Sequence, residues 1–452
     1  MTHCLVENPA VVLDELRERY ANEASPIPVD FRQIVPHLRD DAGLNNLHTY
    51  PAKLLRHIPQ FFLAIPELAR PGQLVLDPFC GSGTVLLEAR LAKLQACGAD
   101  SNPLARLIAE VKTTPIERGR MNRGIRRLLA RIPAKSQIDP PEVVNVDYWF
   151  YPHVKRDLLR ILEAVRATRS DDLRRFFSVV FSRCVRRVSL ADPRVPVPVR
   201  LRPSRYPSTH PLRSKLEARL RRLRVISVER VFREALADSA ERLTKLSGLL
   251  SDPPGIVHIS EDARNLRLDN GSHRPAASVD FVITSPPYVG AQKYIRSCSL
   301  SLNWLGLCTP GEFRQLEDLN IGREHYPQAS YQNSLHTRID GVDILLDRVR
   351  QDNPLRAHIA ATYLIELQDA FREIARVMKP GAYMVLVVGN NLVGSRQFET
   401  TRYAREILEK LGLQSILVLA DEIRSRGLLT KRHHTAGMIH REHVSIYQKG
   451  VP

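Results

Sequence analysis

Short apolar runs alternate along this chain with stretches in which apolar positions recur every three or four residues, the rhythm of buried strands joined by amphipathic helices. Leu74-Val75-Leu76-Asp77 is an apolar run closed by a carboxylate, followed by Pro78-Phe79-Cys80-Gly81-Ser82-Gly83-Thr84 and a helical pattern from Val85 to Lys93. Ala96-Cys97-Gly98-Ala99 reads as a second strand ending at Asp100, and Asn102 with Pro103 opens the next helix, Leu104 to Val111. A third strand is expected over 255–260, with Glu261-Asp262-Ala263-Arg264 at its tip. Val279 to Thr284 is a further apolar strand, and it runs into Ser285-Pro286-Pro287-Tyr288. Downstream, the spacing predicts a helix over 356–378 stopped by Lys379-Pro380-Gly381, a buried strand over Ala382–Val388, a helix over 401–411 and strands over 414–420 and 443–448, the last antiparallel. Strand and helix in alternation predict an α/β fold around a seven-stranded, mostly parallel sheet.

The rhythm changes over 118–250. Arg118 to Arg131 is an arginine-rich helical stretch, Tyr148-Trp149-Phe150-Tyr151 is an aromatic knot, and Val154–Ala167 and Leu173–Arg187 read as amphipathic helices. Phe176, Phe177, Val180, Phe181 and Cys184 form one apolar stripe, which is expected to be core. Asp192 to Pro203 is too proline-rich for a helix or central strand and predicts an extended basic strap reaching Pro211; Arg213 to Leu250 then resumes as a long basic helix or helix pair. Three parts follow: 1–117, a mostly helical insertion over 118–250, and 251–452. After Ser285-Pro286-Pro287-Tyr288, Tyr294–Leu307 predicts a helix with Trp304 on its apolar face, and the polar stretch Ser330–Arg350 predicts an excursion from the sheet.

Charge sharpens this division. The 452 residues carry a net +17, while 118–250 alone holds 31 Lys and Arg against 13 Asp and Glu, about +18. The flanking parts are therefore close to neutral together. Arginine dominates the excess, and its planar fork suits phosphates and guanine edges, so the insertion is the expected nucleic-acid face. Six scattered cysteines argue for reduced thiols in a cytoplasmic protein, no apolar stretch reaches the roughly 18 residues of a membrane span, and the start of the chain lacks a signal-peptide core.

The candidate chemistry sits at the strand tips. Gly81 and Gly83 remove the Cβ atoms that would keep backbone away from a ligand, and Asp77 can receive a cation or hydroxyl. Asp100 stands where a dinucleotide-type fold places the acid that holds ribose hydroxyls, and an acid at 261–262 could accept from an adenine amino group. Two prolines after Ser285 hold the backbone extended with a carbonyl free to aim into a cleft, and Tyr288 adds a flat ring: a slot for an extruded base.

Asp77-Pro78-Phe79-Cys80-Gly81-Ser82-Gly83-Thr84 together with Thr284-Ser285-Pro286-Pro287-Tyr288 resembles the amino-methylating DNA methyltransferases, which act on cytosine N4 or adenine N6. His48-Thr49-Tyr50-Pro51-Ala52-Lys53 with a helical stretch Leu54–Leu68, Asp262-Ala263-Arg264, and Glu442 to Tyr447 resemble further segments of that family. The resemblance implies a Rossmann-like methyltransferase sheet, S-adenosylmethionine as cofactor, no metal, and double-stranded DNA as partner, and it admits functional pairing with a restriction endonuclease. It assigns Ser285, Pro286, Pro287 and Tyr288 to catalysis. Cofactor contacts fall on Tyr50, Pro51, Asp77, Phe79, Gly81, Gly83, Thr84, Asp100, Asn102, Asp262 and Ala263. Ser285 in the first motif position resembles the cytosine N4 subgroup, with adenine N6 the second reading, an RNA base amine the third and an inactive DNA-binding module the fourth.

Overall fold

The computed structural model describes residues 8–51, 53–250, 257–290, 293–423 and 440–451. Its main sheet contains β1 (Ile27–Val29), β2 (Leu74–Asp77), β3 (Gln95–Ala99), β4 (Val257–Ser260), β5 (Val279–Thr284) and β6 (Met378–Val388). A small ribbon follows, β7 (Asn391–Val393) with β8 (Arg396–Phe398), and the chain returns to the main sheet as β9 (Leu413–Glu422) and β10 (Arg441–Lys449). The strand order is β1-β9-β10-β6-β5-β2-β3-β4, parallel throughout except where β10 runs against β6 and β9. The chain therefore builds outward from β2 in one direction and from β5 in the other, leaving a switch point between their carboxyl ends, where open α/β sheets bind ligands.

Several expectations need correcting. The sheet has eight strands rather than seven, because Ile27-Pro28-Val29 adds beside β9 as an edge strand, a place where a proline without an N–H is tolerated. Within Leu54–Leu68 only His57–Phe62 is helical, since Pro66 cannot extend it. The long helix does end at Val377, but Lys379-Pro380-Gly381 is part of β6, with Gly381 at φ 74° and a register shift on β5 between Val279 and Phe281 absorbing the irregularity. Ser330–Arg350 is not wholly an excursion: Val342–Asp352 is a helix that buries Val342, Leu346 and Val349.

Arg213–Leu250 resolves into two helices, Pro211–Arg224 and Val228–Leu246, the second capped by the Ser227 hydroxyl accepting from the Arg230 N–H at 3.2 Å. The proline-rich strap is a closed loop. Asp192 N–H donates to the Val199 carbonyl at 2.7 Å, Leu201 N–H to the Leu190 carbonyl at 2.9 Å, and the Arg186 guanidinium donates to the carbonyls of Val195 and Pro196. Leu190, Leu201, Leu216 and Leu223 form a small apolar cluster beneath it.

The stripe residues Phe176, Phe177, Val180, Phe181 and Cys184 are fully buried, as the periodicity predicts. They belong to one core with Ile108 and Trp304, so the helices of 118–250 pack directly on helices Pro103–Thr113 and Tyr294–Leu305. Phe150 meets Trp304 edge to face at 5.6 Å between ring centres. Among the described residues no helix is long and apolar enough to cross a membrane.

Candidate functional site

The two motifs meet at the switch point. Thr284, the last residue of β5, donates its hydroxyl to Asp77 Oδ1 at the end of β2, 2.7 Å away, and the same oxygen accepts the Phe79 N–H at 3.1 Å. Asp77 is 4% exposed, so burial, against these two hydrogen bonds, pushes its carboxyl up to about 7. One step along, Asp100 accepts the Gly81 N–H at 3.0 Å and the Asn102 N–H at 2.8 Å; burial pushes it up to about 6 despite those donors. The second acid thus ties the glycine turn to the tip of β3.

Above these carboxyls lies a cleft open to solvent. Tyr50, Phe79, Gly81, Asp100, Asp262, Ala263, Ser285 and Pro287, all singled out from the sequence, line it. Other parts of the wall were not assigned to the site from the sequence: Tyr294, and Leu319, Asn320 and Ile321 from a turn, Leu319 to Glu324, that resembles the family. Those three carry no chemical signature, and only the fold brings them opposite β2.

The remaining expected site residues stand behind or beside the wall. Asn102 is fully buried; its side-chain oxygen accepts the Leu104 N–H at 3.0 Å to cap helix Pro103–Thr113, and its amide donates to the Tyr50 hydroxyl at 3.2 Å. Thr84 donates to Asn45 Oδ1 at 3.3 Å. Gly83, at φ 77°, lies so close to that helix that a Cβ would come within 2.7 Å of Ala109 Cβ. Gly98 is equally crowded and was not recognised from sequence, its would-be Cβ 2.9 Å from the Asp77 carbonyl oxygen. Pro51 is half-buried, and Pro286 is buried under the loop. Asp262 faces the cleft, but its carboxylate also accepts from its own neighbour, Arg264, through Nε at 2.9 Å and Nη2 at 2.9 Å.

Tyr288 departs from the picture of a ring lying open in a slot. It is 9% exposed, does not border the cleft, and donates its hydroxyl to Glu442 Oε1 on β10 at 2.6 Å. The loop around it is pinned from two other directions: Asn391 Nδ2 donates to the Val289 carbonyl at 3.0 Å, and Gly322 packs against the Tyr288 carbonyl. His433 and His434, in the basic stretch before the last strand, lie outside the described residues.

A family model described as DNA methylase matches residues 36–110, which span Tyr50, the β2 glycine turn and Asp100. The Type II methyltransferase M.MvaI of Kocuria varians is 25% identical over 406 residues, covering 86% of this chain and 86% of that one. The chain is thus similar to amino-DNA methyltransferases over most of its length. M.BsoBI of Geobacillus stearothermophilus, also a Type II methyltransferase, is 22% identical to this chain over 437 residues, or 84% of this chain and 80% of its own. Among solved structures, a SAM-dependent methyltransferase from Methanosarcina mazei aligns over 85% of this chain and 95% of its own, at 12% identity and a TM-score of 0.30.

Proposed function

We propose that this methyltransferase acts on the exocyclic amine of a base extruded from duplex DNA, cytosine N4 ahead of adenine N6. The observation that carries this reading is the single cleft shared by Gly81 and Asp100 on one wall and Ser285 and Pro287 on the other. The cofactor is S-adenosylmethionine, which supplies an activated methyl group on a sulfonium.

The residues fit such a group. The cleft is concave, open to solvent and lined by both apolar and polar groups, as small-molecule sites are. Gly81 presents bare backbone to it; Phe79, Ala263 and Ile321 offer apolar surface for a purine. Asp100 would take hydroxyls, and the buried carboxyl of Asp77 gains whenever a cation sits above it. Pro51, Gly83, Thr84 and Asn102 would serve by holding the turn and Tyr50 in place.

On the other wall the chain's task is to activate a poor nucleophile. The lone pair of a base amine is delocalised into the ring, and acceptors placed at both N–H bonds draw it toward tetrahedral geometry. Ser285 Oγ and the Pro286 carbonyl are the acceptors in this reading, so the rate comes from positioning, without a covalent intermediate. Tyr288 would stack on the base, offsetting lost stacking. Ser285 in place of an acidic or amide residue supports cytosine. Phosphate contacts fall to the arginines of 118–250, and a paired restriction endonuclease is the setting this reading implies.

Labelled methyl transfer from S-adenosylmethionine, offered duplex DNA and tRNA in parallel and followed by nucleoside analysis, tests this. N4-methylcytosine in the duplex is expected. N6-methyladenine would reverse the base preference, and label confined to tRNA would overturn the DNA reading. Ser285→Ala is expected to lose about a hundredfold in turnover, the scale of removing one aligned polar group at a reacting centre, while retaining cofactor binding; turnover at the wild-type level would take Ser285 out of its role.

A further inference from the structure

Resting on the reading above, we infer that Glu442 is a positioning residue for base methylation: it tethers the far end of the Tyr288 ring, 154 positions earlier, against which the extruded base would stack. The contact is a hydroxyl-to-carboxylate hydrogen bond of 2.6 Å, the short kind made to a charged acceptor. Tyr288 is buried and Glu442 half-buried, and a bond partly screened from water is stronger and more directional than one at a surface. Glu442 stands at the start of β10, paired in register with Asp421 of β9, and β10 enters the sheet at the edge where β2 and β5 end. A rigid strand therefore fixes a side chain that belongs to a loop.

The other anchors of that loop hold its backbone. Asn391 takes the Val289 carbonyl, and Gly322, at φ 81°, lies close enough that a Cβ would sit 3.1 Å from the Tyr288 carbonyl oxygen. Neither holds the far end of the tyrosine ring; the hydroxyl bond to Glu442 does. A phenol tethered at its far end cannot swing into the space a base would fill, and its position is set before DNA arrives, which lowers the ordering cost of the complex. By family resemblance Glu442 belongs only to the last strand of the sheet, and nothing in its sequence neighbourhood marks it as part of the site.

The test is steady-state methyl transfer onto genomic DNA by the full chain and four variants: Glu442→Ala, Glu442→Gln, Tyr288→Phe and the double variant Tyr288→Phe/Glu442→Ala. Loss of one hydrogen bond to a charged group corresponds to ~tenfold, so Glu442→Ala and Tyr288→Phe are each expected to lower kcat by about that factor while KM for DNA and the affinity for S-adenosylmethionine stay within about twofold. Glu442→Gln, which keeps an acceptor, is expected to recover activity to within about threefold of wild type, and the double variant to be no worse than either single one. A wild-type kcat in Glu442→Ala, or losses that multiply in the double variant, overturns the assignment. Should Glu442→Ala fail to fold, Tyr288→Phe decides alone, and wild-type turnover there is equally fatal. Wild-type protein inert on duplex DNA brings down the methylation reading and this inference with it, whereas an active wild type with unaltered variants removes only the role of Glu442.

Discussion

Asp77 illustrates how much a single residue carries. Its carboxyl is held under the cleft by Thr284 and Phe79, and burial sets it near neutrality at about 7, well above the 3.8 of a free aspartate. The folded state thus binds a proton more tightly than the unfolded chain does, so the stability this group contributes is complete at acid pH and is lost as pH rises through about 7. Asp100, pushed to about 6, acts in the same direction. We predict that denaturant midpoints fall between about pH 5 and about pH 8, with Asp77 responsible for on the order of 2 kcal/mol, and that Asp77→Asn flattens that part of the profile. An unchanged slope in the variant would show that Asp77 is already ionised. A cation binding above these acids should also expel protons, so calorimetry of S-adenosylmethionine binding near neutral pH in buffers of different ionisation enthalpy should give different heats. At this scale the sequence was informative where chemistry is local. Glycines, tip acids and the Pro-Pro pair all announce themselves. Gly98, Glu442 and Leu319–Ile321 do not, because their roles depend on what the fold sets opposite them.

At the scale of elements, the glycine turn and the helix Pro103–Thr113 are the tightest contact. An alanine at 83 would need a left-handed φ of 77° and would drive its Cβ to 2.7 Å from Ala109 Cβ and 2.9 Å from Ala109 Cα. At Gly81 the nearest atom to a new Cβ is the Tyr50 ring at 3.6 Å, an ordinary contact. Gly83→Ala should therefore cost about 3 kcal/mol or more from strain and overpacking together, and Gly81→Ala about 1 kcal/mol from backbone strain alone. Urea titration of the two variants checks the order; a reversal would mean that the turn, not the helix contact, sets the requirement. Trp304→Ala, which empties the space between Phe150 and Phe181, should cost about 3–5 kcal/mol in the same assay. Elements were readable wherever one periodicity ran long enough. Helix Val342–Asp352 escaped because charges crowd its buried positions at 342, 346 and 349, and β1 escaped because a three-residue strand containing a proline looks like a turn.

For the whole molecule, the concentration of positive charge in 118–250 is the feature most cleanly legible from composition, and the structure refines it. Many arginines there are engaged in internal pairs, including Arg120 with Asp172, Arg183 with Asp238 and Arg233 with Glu229, each at 2.7 Å. The last turn of helix Pro211–Arg224 is different: Arg221, Arg222 and Arg224 are all exposed. If they touch phosphates, replacing all three with alanine should reduce the slope of log affinity against log salt by about 2–3, since each neutralised phosphate adds ~0.9 to that slope. A slope that does not move would place the DNA elsewhere on the molecule.

The strand order has a bearing on how the molecule is made. Its central neighbours, β2 and β5, are separated by about 200 residues, so while the ribosome is still building 118–250, β2 has β3 on one side and an open edge on the other. The helices made in that interval have an immediate seat on Pro103–Thr113, already synthesised, and can shelter half of the nascent sheet. A product truncated at 250 would keep the glycine turn yet lack the neighbour that closes the sheet, leaving an unpaired strand edge available for association with other chains.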